Sequence, residues 1–299
     1  MGILVLGTVA LDTVKTPFGK KDFMLGGSAV HFSIASTLFT EVSLVAVVGE
    51  DFPAKHIEFL LDKGIDLTSL IHCPGKSFKW QGEYSGDLNC ALTLNTELGV
   101  LSSFNPSVAA KQRDIQYIFL ANVDPDVQAR LLSHMRRPRL IGLDSMNFWI
   151  KHKRPSLVRL LKKVDIFVAN DQEARDLSGE INLVKAAKKL SRMGPRMVLI
   201  KKGEHGVLFY SKAFTITLPA YPTEKVIDPT GAGDTFAGAF MGYLAKSGKL
   251  DIATIKKSLA YGTVAASFNI EDFGTAKTSC LTLADLNKRL KELKKIVTF

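Results

Sequence analysis

Short apolar runs, each long enough for one buried strand, alternate with longer amphipathic stretches along almost the whole chain, and this alternation limits the folds open to it. Residues 3–6, 44–48, 117–121, 140–143, 166–169 and 197–200 are such runs. Apolar positions recurring every three or four residues over 28–39, 54–63, 125–135, 183–192 and 252–268 predict helices among them. A strand that is apolar on both faces belongs in a parallel sheet with helices packed on either side. The pattern therefore predicts an α/β fold of βαβ units. With 299 residues, 46% of them hydrophobic, the chain buries a large core as one big α/β domain or two smaller ones. Two stretches break the rhythm, 14–25 and 76–96, and both read as exposed hairpins or as an antiparallel edge of the main sheet.

Asp228-Pro229-Thr230-Gly231-Ala232-Gly233-Asp234 is the most informative local segment. Pro229 stops any preceding helix, and the small residues 231–233 form a turn whose backbone N–H groups can approach an anion closely. A helix follows at once. Phe236, Phe240 and Leu244 recur at four-residue spacing, and Gly238 and Gly242 give a flat stripe for a tightly packed neighbour. Unpaired N–H groups and the helix dipole favour a phosphate at such an N-terminus, and Asp234 in the first turn stands beside it as a proton acceptor. From the residues alone, an equally good account makes Asp234 a helix cap and the glycines a plain turn.

The segment 228–236 resembles the C-terminal signature of the PfkB (ribokinase-like) carbohydrate and nucleoside kinases, close to D-T-x-G-A-G-D-x-F. Two further elements stand in family order: the pair Gly26-Gly27, and Asn170-x-x-Glu173 directly after an apolar strand. The resemblance spans essentially all 299 residues. It implies a single ribokinase-like domain over 1–299, a three-layer α/β/α arrangement with a mostly parallel central sheet, and a small β-lid made by about 14–25 and 76–96. It also implies transfer of the γ-phosphate of ATP to a hydroxyl of a sugar or sugar-like molecule.

Site residues follow from the matching positions. Asp234 is the expected general base and Gly231, Ala232 and Gly233 the anion hole. Asp12, Gly26 and Gly27 match acceptor contacts, with Asp87 and Asn89 of the lid as further polar candidates. Lys201, Gly203 and Gly206, with Asn170 and Thr230, match the nucleotide side. Asn170 and Glu173 are expected to organise Mg²⁺ through water, although their spacing also fits a capping box that needs no metal. Asp228 and Thr230 match a monovalent-cation loop of some members, which adds K⁺ to the cofactors, while residues 270–273 depart from that pattern. Ala10 and Ser28-Ala29-Val30-His31 also depart from ribokinase-type sequences, which carry Asn at the first position and Lys-Gly-Ala-Asn after the glycine pair. These changes turn the reading away from simple ribose. Adenosine-type nucleoside kinases, which share the Gly-Gly-Ser opening, form the alternative, with Phe18, Phe23, Phe78 and Trp80 as candidates to sandwich a base. His31, on an apolar helix face, reads as a core or capping residue.

A formal charge of +10 suggests a nucleic-acid partner, but the basic residues are scattered over helix faces and no recognition motif accompanies them. A ribokinase-like sugar sensor without catalysis is the remaining alternative, disfavoured by the presence of the base, the turn and the Asn/Glu pair. Cys73, Cys90 and Cys280 lack metal or redox spacing and read as reduced cytosolic thiols. The apolar N-terminus reads as a first strand rather than a signal peptide, and no run reaches membrane-spanning length. The expected protein is cytoplasmic, binds a small molecule rather than nucleic acid or membrane, and forms a homodimer if a second lid covers the first.

Overall fold

The computed structural model describes residues 2–86 and 88–298. The chain begins β1 (Ile3–Leu6), β2 (Ala10–Thr16), β3 (Gly19–Gly26), α1 (Ser28–Thr37), β4 (Val42–Gly49), α2 (Ala54–Asp62) and β5 (Ile65–Cys73). It continues through β6 (Lys79–Tyr84), β7 (Ala91–Glu97), β8 (Tyr117–Leu120), α3 (Pro125–His134), β9 (Leu140–Asp144), α4 (Asn147–His152) and α5 (Arg154–Leu161). Next come β10 (Ile166–Asn170), α6 (Asp171–Ser178), α7 (Leu183–Arg192), β11 (Met197–Lys201), β12 (Val207–Ser211) and β13 (Thr215–Leu218). Three helices finish the chain: α8 (Ala232–Ser247), α9 (Ile252–Asn269) and α10 (Leu283–Val297).

A nine-stranded sheet runs in the order β13-β12-β11-β10-β9-β8-β1-β4-β5. From β5 to β11 every pairing is parallel, and β12 returns antiparallel to β11. Both faces of the sheet are dry. Ile3 and Val5 point into a core shared with Phe32 of α1 and with Phe236, Phe240 and Leu244 of α8. Leu4 and Leu6 point the other way, onto Val127, Leu131, Leu157 and Leu190 of α3, α5 and α7. That two-sided burial is the physical reason the strands read as unbroken apolar runs. The sequence pattern did not separate out β5 and β13, the two edge strands, because edge strands are half-exposed and alternate less cleanly.

The stripe on α8 behaves as its residues demand. A Cβ on Gly238 would stand 2.3 Å from the Phe32 carbonyl oxygen, and one on Gly242 3.1 Å from Ser36 Cα. Helices α1 and α8 therefore touch backbone to backbone, with Ser36 Oγ donating to the Gly238 carbonyl at 2.7 Å. This contact fixes the N-terminus of α8 against the Gly26-Gly27 turn that opens α1.

A second sheet, β3-β2-β6-β7, stands at the carboxyl edge of the first. The two expected hairpins are both present, and they join through a parallel pairing of β2 with β6. Strand β2 starts at Ala10, earlier than the hairpin pattern indicated, because it continues almost directly from β1. The strand order of the main sheet reverses at β1, between β8 and β4, which is where open α/β sheets form their binding crevice. The lid rises from that point. The lid carries Phe18 (58% exposed), Phe23 (61%), Leu92 (62%) and Leu94 (47%), more apolar surface than an isolated small sheet covers for itself. Among the described residues no helix is long and apolar enough to cross a membrane.

Candidate active site

Residues 227–235 form a turn locked from several sides. Gly231, at φ 75°, is the left-handed residue preceding α8, a conformation that favours glycine. Asp228, fully buried, accepts the Thr230 N–H at 2.9 Å and the Gly274 N–H at 2.9 Å. Asn269 at the end of α9 donates to the Thr230 carbonyl at 2.7 Å and accepts from Thr235 Oγ1 at 2.9 Å. The turn is therefore rigid before any ligand arrives, and the first N–H groups of α8 open toward the crevice. Each Asp228 oxygen thus accepts one backbone N–H, which ties residues 228–230 to the segment at Gly274.

Around the turn the fold gathers acids from distant parts of the chain. Asp12, in β2, is buried and accepts the Gly27 N–H at 3.2 Å. A Cβ on Gly26 would stand 2.0 Å from Asp12 Oδ2, so the glycine pair wraps the carboxylate closely. Burial first, reinforced by Asp228 and opposed by the Gly27 hydrogen bond, lifts Asp12 from 3.8 to about 7. Asp234 rises from 3.8 to about 7 for the same leading reason, helped by Asp144 and Asp12 and opposed by Lys201. A carboxyl poised at that value exchanges a proton near neutral pH.

The other residues expected at the site divide between its two sides. Lys201 closes β11 and pairs with Asp144 of β9 at 2.9 Å. Burial works against its charge, yet Asp144, Glu173 and Asp234 outweigh it and hold the ammonium above the ordinary lysine range. Asn170 and Glu173 form the capping box: Asn170 Oδ1 accepts the Glu173 N–H and Glu173 Oε2 accepts the Asn170 N–H, both at 2.7 Å. Burial, then Asp144, raises the Glu173 carboxyl. The local capping account is therefore correct for these two side chains. Lys202 N–H donates to the Gly206 carbonyl at 2.8 Å and Gly206 N–H to the Gly203 carbonyl at 3.1 Å, closing a tight loop beside β11. Asn89 meets that loop: a Cβ on Gly203 would stand 2.7 Å from Asn89 Oδ1. The lid residue expected on the acceptor thus lies against the loop expected on the nucleotide. Asp87 lies outside the described residues.

Three further groups take part: Tyr84 and Asp144 were not singled out from the sequence, and His31 reads there as a core or capping residue. Tyr84, at the tip of β6, accepts a hydrogen bond from Thr230 Oγ1 at 3.2 Å, so the lid touches the turn. Burial, with Asp228, Asp12 and Asp234 around it, pushes the Tyr84 hydroxyl above its usual range despite the Thr230 contact. His31, 2% exposed, lies face-on beneath Gly231, whose Cβ would stand 2.3 Å from the ring, and neither ring nitrogen meets a hydrogen-bond partner among the described residues. Burial pushes the imidazole below the ordinary histidine range, outweighing Asp228 and Asn269. Asp144 is the third. Its only sequence signal is a carboxylate at the last position of a buried strand, at the edge where α/β sites form.

Among the described residues no three carboxylate, histidine or cysteine side chains form a resident metal cage. Asn170 and Glu173, bonded to each other, fit a contact through water to a Mg²⁺ that arrives on a polyphosphate.

A hydrogen-bonded turn at a helix start, a near-neutral carboxyl beside it and a lid above the crevice of a parallel sheet thus stand together. Residues 20–281 match the pfkB family carbohydrate kinase model, and the chain belongs to that family. It is 30% identical over 247 residues to the cytidine kinase of Thermococcus kodakarensis, covering 81% of this chain and 87% of the relative. It is 24% identical to the ribokinase of Lactococcus lactis, covering 97% of each. The crystal structure of Methanocaldococcus jannaschii nucleoside kinase superposes with a TM-score of 0.78 at 20% identity, over 97% of this chain and 98% of that one. The Burkholderia thailandensis nucleoside kinase in complex with inosine gives 0.79 at 18% identity, over 97% of both chains. The chain is accordingly a sugar or nucleoside kinase with a ribokinase-like fold.

Proposed function

We propose that this protein transfers the γ-phosphoryl group of ATP to a hydroxyl of the sugar moiety of a nucleoside. The observation that carries the reading is Asp234, held near neutrality in the first turn of α8 between the Gly231-Ala232-Gly233 turn and Asp12. Asp12, positioned by Gly27, accepts hydrogen bonds from ring hydroxyls and orients the acceptor. Asp234 takes the proton of the attacking hydroxyl. The N–H groups of residues 231–233 meet the charge on the phosphoryl oxygens, supported by a turn already locked by Asp228 and Asn269. The Lys202–Gly206 loop, with Asn89 above it, borders the ATP phosphates. Asn170 and Glu173, bonded to each other, would orient water toward a Mg²⁺ carried by ATP, which would supply charge neutralisation for the phosphates. Tyr84 and the lid exclude bulk water, which protects the transferred group from hydrolysis.

The nucleoside reading is supported by the cytidine kinase relative and by the loss of ribokinase-type polar residues at Ala10 and Ser28-Ala29-Val30-His31. A free sugar is the second reading, favoured by the ribokinase relative matched over nearly its whole length. The exposed apolar residues of the lid support a homodimer in which each lid covers the other.

The test is ADP release from Mg·ATP across nucleosides, pentoses, hexoses and sugar phosphates, with Asp234→Asn beside the wild type. Nucleoside-dependent turnover that the variant loses is expected. Turnover on free sugars alone would replace the nucleoside by the second reading, and full activity in the variant would remove Asp234 as the base.

A further inference from the structure

Asp144 and Lys201 come from β9 and β11, two strands that do not pair with each other because β10 lies between them. Their side chains nevertheless meet over the end of β10, with Nζ 2.9 Å from Oδ2, and they are only 6% and 18% exposed. A buried ion pair of this kind adds little to stability that apolar residues would not. Its position is more telling. Lys201 Nζ stands 2.8 Å from where a Cβ on Gly233 would be, so the ammonium rests on the first turn of α8, inside the proposed anion hole. Asp144 is itself fixed: its Oδ1 accepts the Ser145 N–H at 2.8 Å, and its carbonyl accepts from the buried Gln128 amide at 3.2 Å.

The groups that face Asp234 are Asp12 from β2, Tyr84 from β6, Asp144 from β9, Glu173 from α6 and Lys201 from β11, with Asp228 and His31 behind the turn. Lys201 brings the positive charge to this set. Left to itself, an ammonium so placed would pair with Asp234 and occupy the lone pairs that must take the acceptor's proton. Asp144 Oδ2 holds it instead, at 2.9 Å.

We propose that Asp144 is a positioning residue for phosphoryl transfer: it holds the Lys201 ammonium against the Gly233 turn, where the ammonium meets the transferring group without capturing the base. The inference rests on the kinase reading above. In the step it serves, the acceptor oxygen forms a bond to the γ-phosphorus while the bond from that phosphorus to the β–γ bridging oxygen breaks. The hydroxyl proton passes to Asp234, and ADP leaves with the electron pair of the broken bond. Lys201 meets charge on the moving phosphoryl oxygens throughout.

Wild type, Asp144→Asn, Lys201→Met and the double variant are compared by steady-state kinetics across pH, each with a thermal melt to establish folding. Asp144→Asn is expected to lower kcat by roughly ten- to a hundredfold, the size of effect that a misplaced group produces, with KM for the acceptor within about twofold. The acid limb of kcat/KM moves in opposite directions in the single variants. Removing the cation in Lys201→Met moves it to higher pH, and removing the anion in Asp144→Asn moves it to lower pH. The double variant has its limb near the wild-type position and a kcat as low as Lys201→Met. Limbs that move the same way, or an Asp144→Asn variant with wild-type kcat, overturn the proposal. Should Asp144→Asn not fold, the double variant decides, since it leaves neither charge buried alone; wild-type kcat there also overturns it. A wild-type protein without acceptor-dependent turnover removes the kinase reading and this inference together, so the wild-type arm separates the two failures.

Discussion

Asp234→Asn should raise stability while it removes activity, and the gain should depend on pH in one direction only. Asp234 has its carboxyl lifted from 3.8 to about 7 by burial and by Asp144. Between those values the folded state holds a proton that the unfolded state releases, so stability falls as pH rises through the window. Below it both states are protonated and nothing is lost; above it the cost is complete. A displacement of about 3 pH units is worth about 4 kcal/mol at 1.36 kcal/mol per unit. The residue is half-buried rather than sealed, and solvent screening reduces the working figure to about 2 kcal/mol. For a chain of 299 residues an unfolding entropy near 2.1 cal/mol/K per residue turns that into a rise of about 3 °C in Tm. Asparagine cannot ionise, so the variant should melt about 3 °C above the wild type at pH 8 and at nearly the same temperature at pH 4.5. Its kcat should fall by about a hundredfold or more. Scanning calorimetry at the two pH values decides the matter. A Tm gain of equal size at both, or a loss at pH 8, would refute the argument that Asp234 is held protonated by its surroundings.

Other perturbations probe the scaffold and the lid. Gly238→Ala places a Cβ 2.3 Å from the Phe32 carbonyl and should cost about 1–3 kcal/mol, read as a lower urea midpoint; an unchanged midpoint would mean that α1 and α8 are not in backbone contact. Gly231→Ala meets both a positive φ and the His31 ring at 2.3 Å, so turnover should drop by about a hundredfold, and wild-type turnover would exclude the turn from the reaction. Tyr84→Phe loses the acceptor for Thr230 Oγ1 and should raise the acceptor KM several-fold, in line with about 1 kcal/mol for one hydrogen bond, with little change in Tm. An unaltered KM would leave the Tyr84 contact without a role in closing the lid.

What the sequence determined lies within short stretches of chain. The βαβ alternation is legible because burial on both faces of a strand and on one face of a helix writes two different periods into the residues. The turn at 230–234 with its helix is contiguous, the capping box joins residues three apart, and the glycine stripe of α8 announces a close neighbour without saying which one. The tertiary structure decided which neighbour and which charges meet. His31 lies under Gly231, Asn89 lies on Gly203, and Asp144 reaches Lys201 57 residues away, because the order of strands brings their ends to one edge. That order is set by how the whole chain buries its apolar surface, which no local period records. The same holds for the chemistry of Asp12 and Asp234. Their near-neutral carboxyls arise from desolvation and from charges arriving through space, so an aspartate that reads in the sequence as an ordinary cap becomes, only in the folded chain, a group able to take a proton near pH 7.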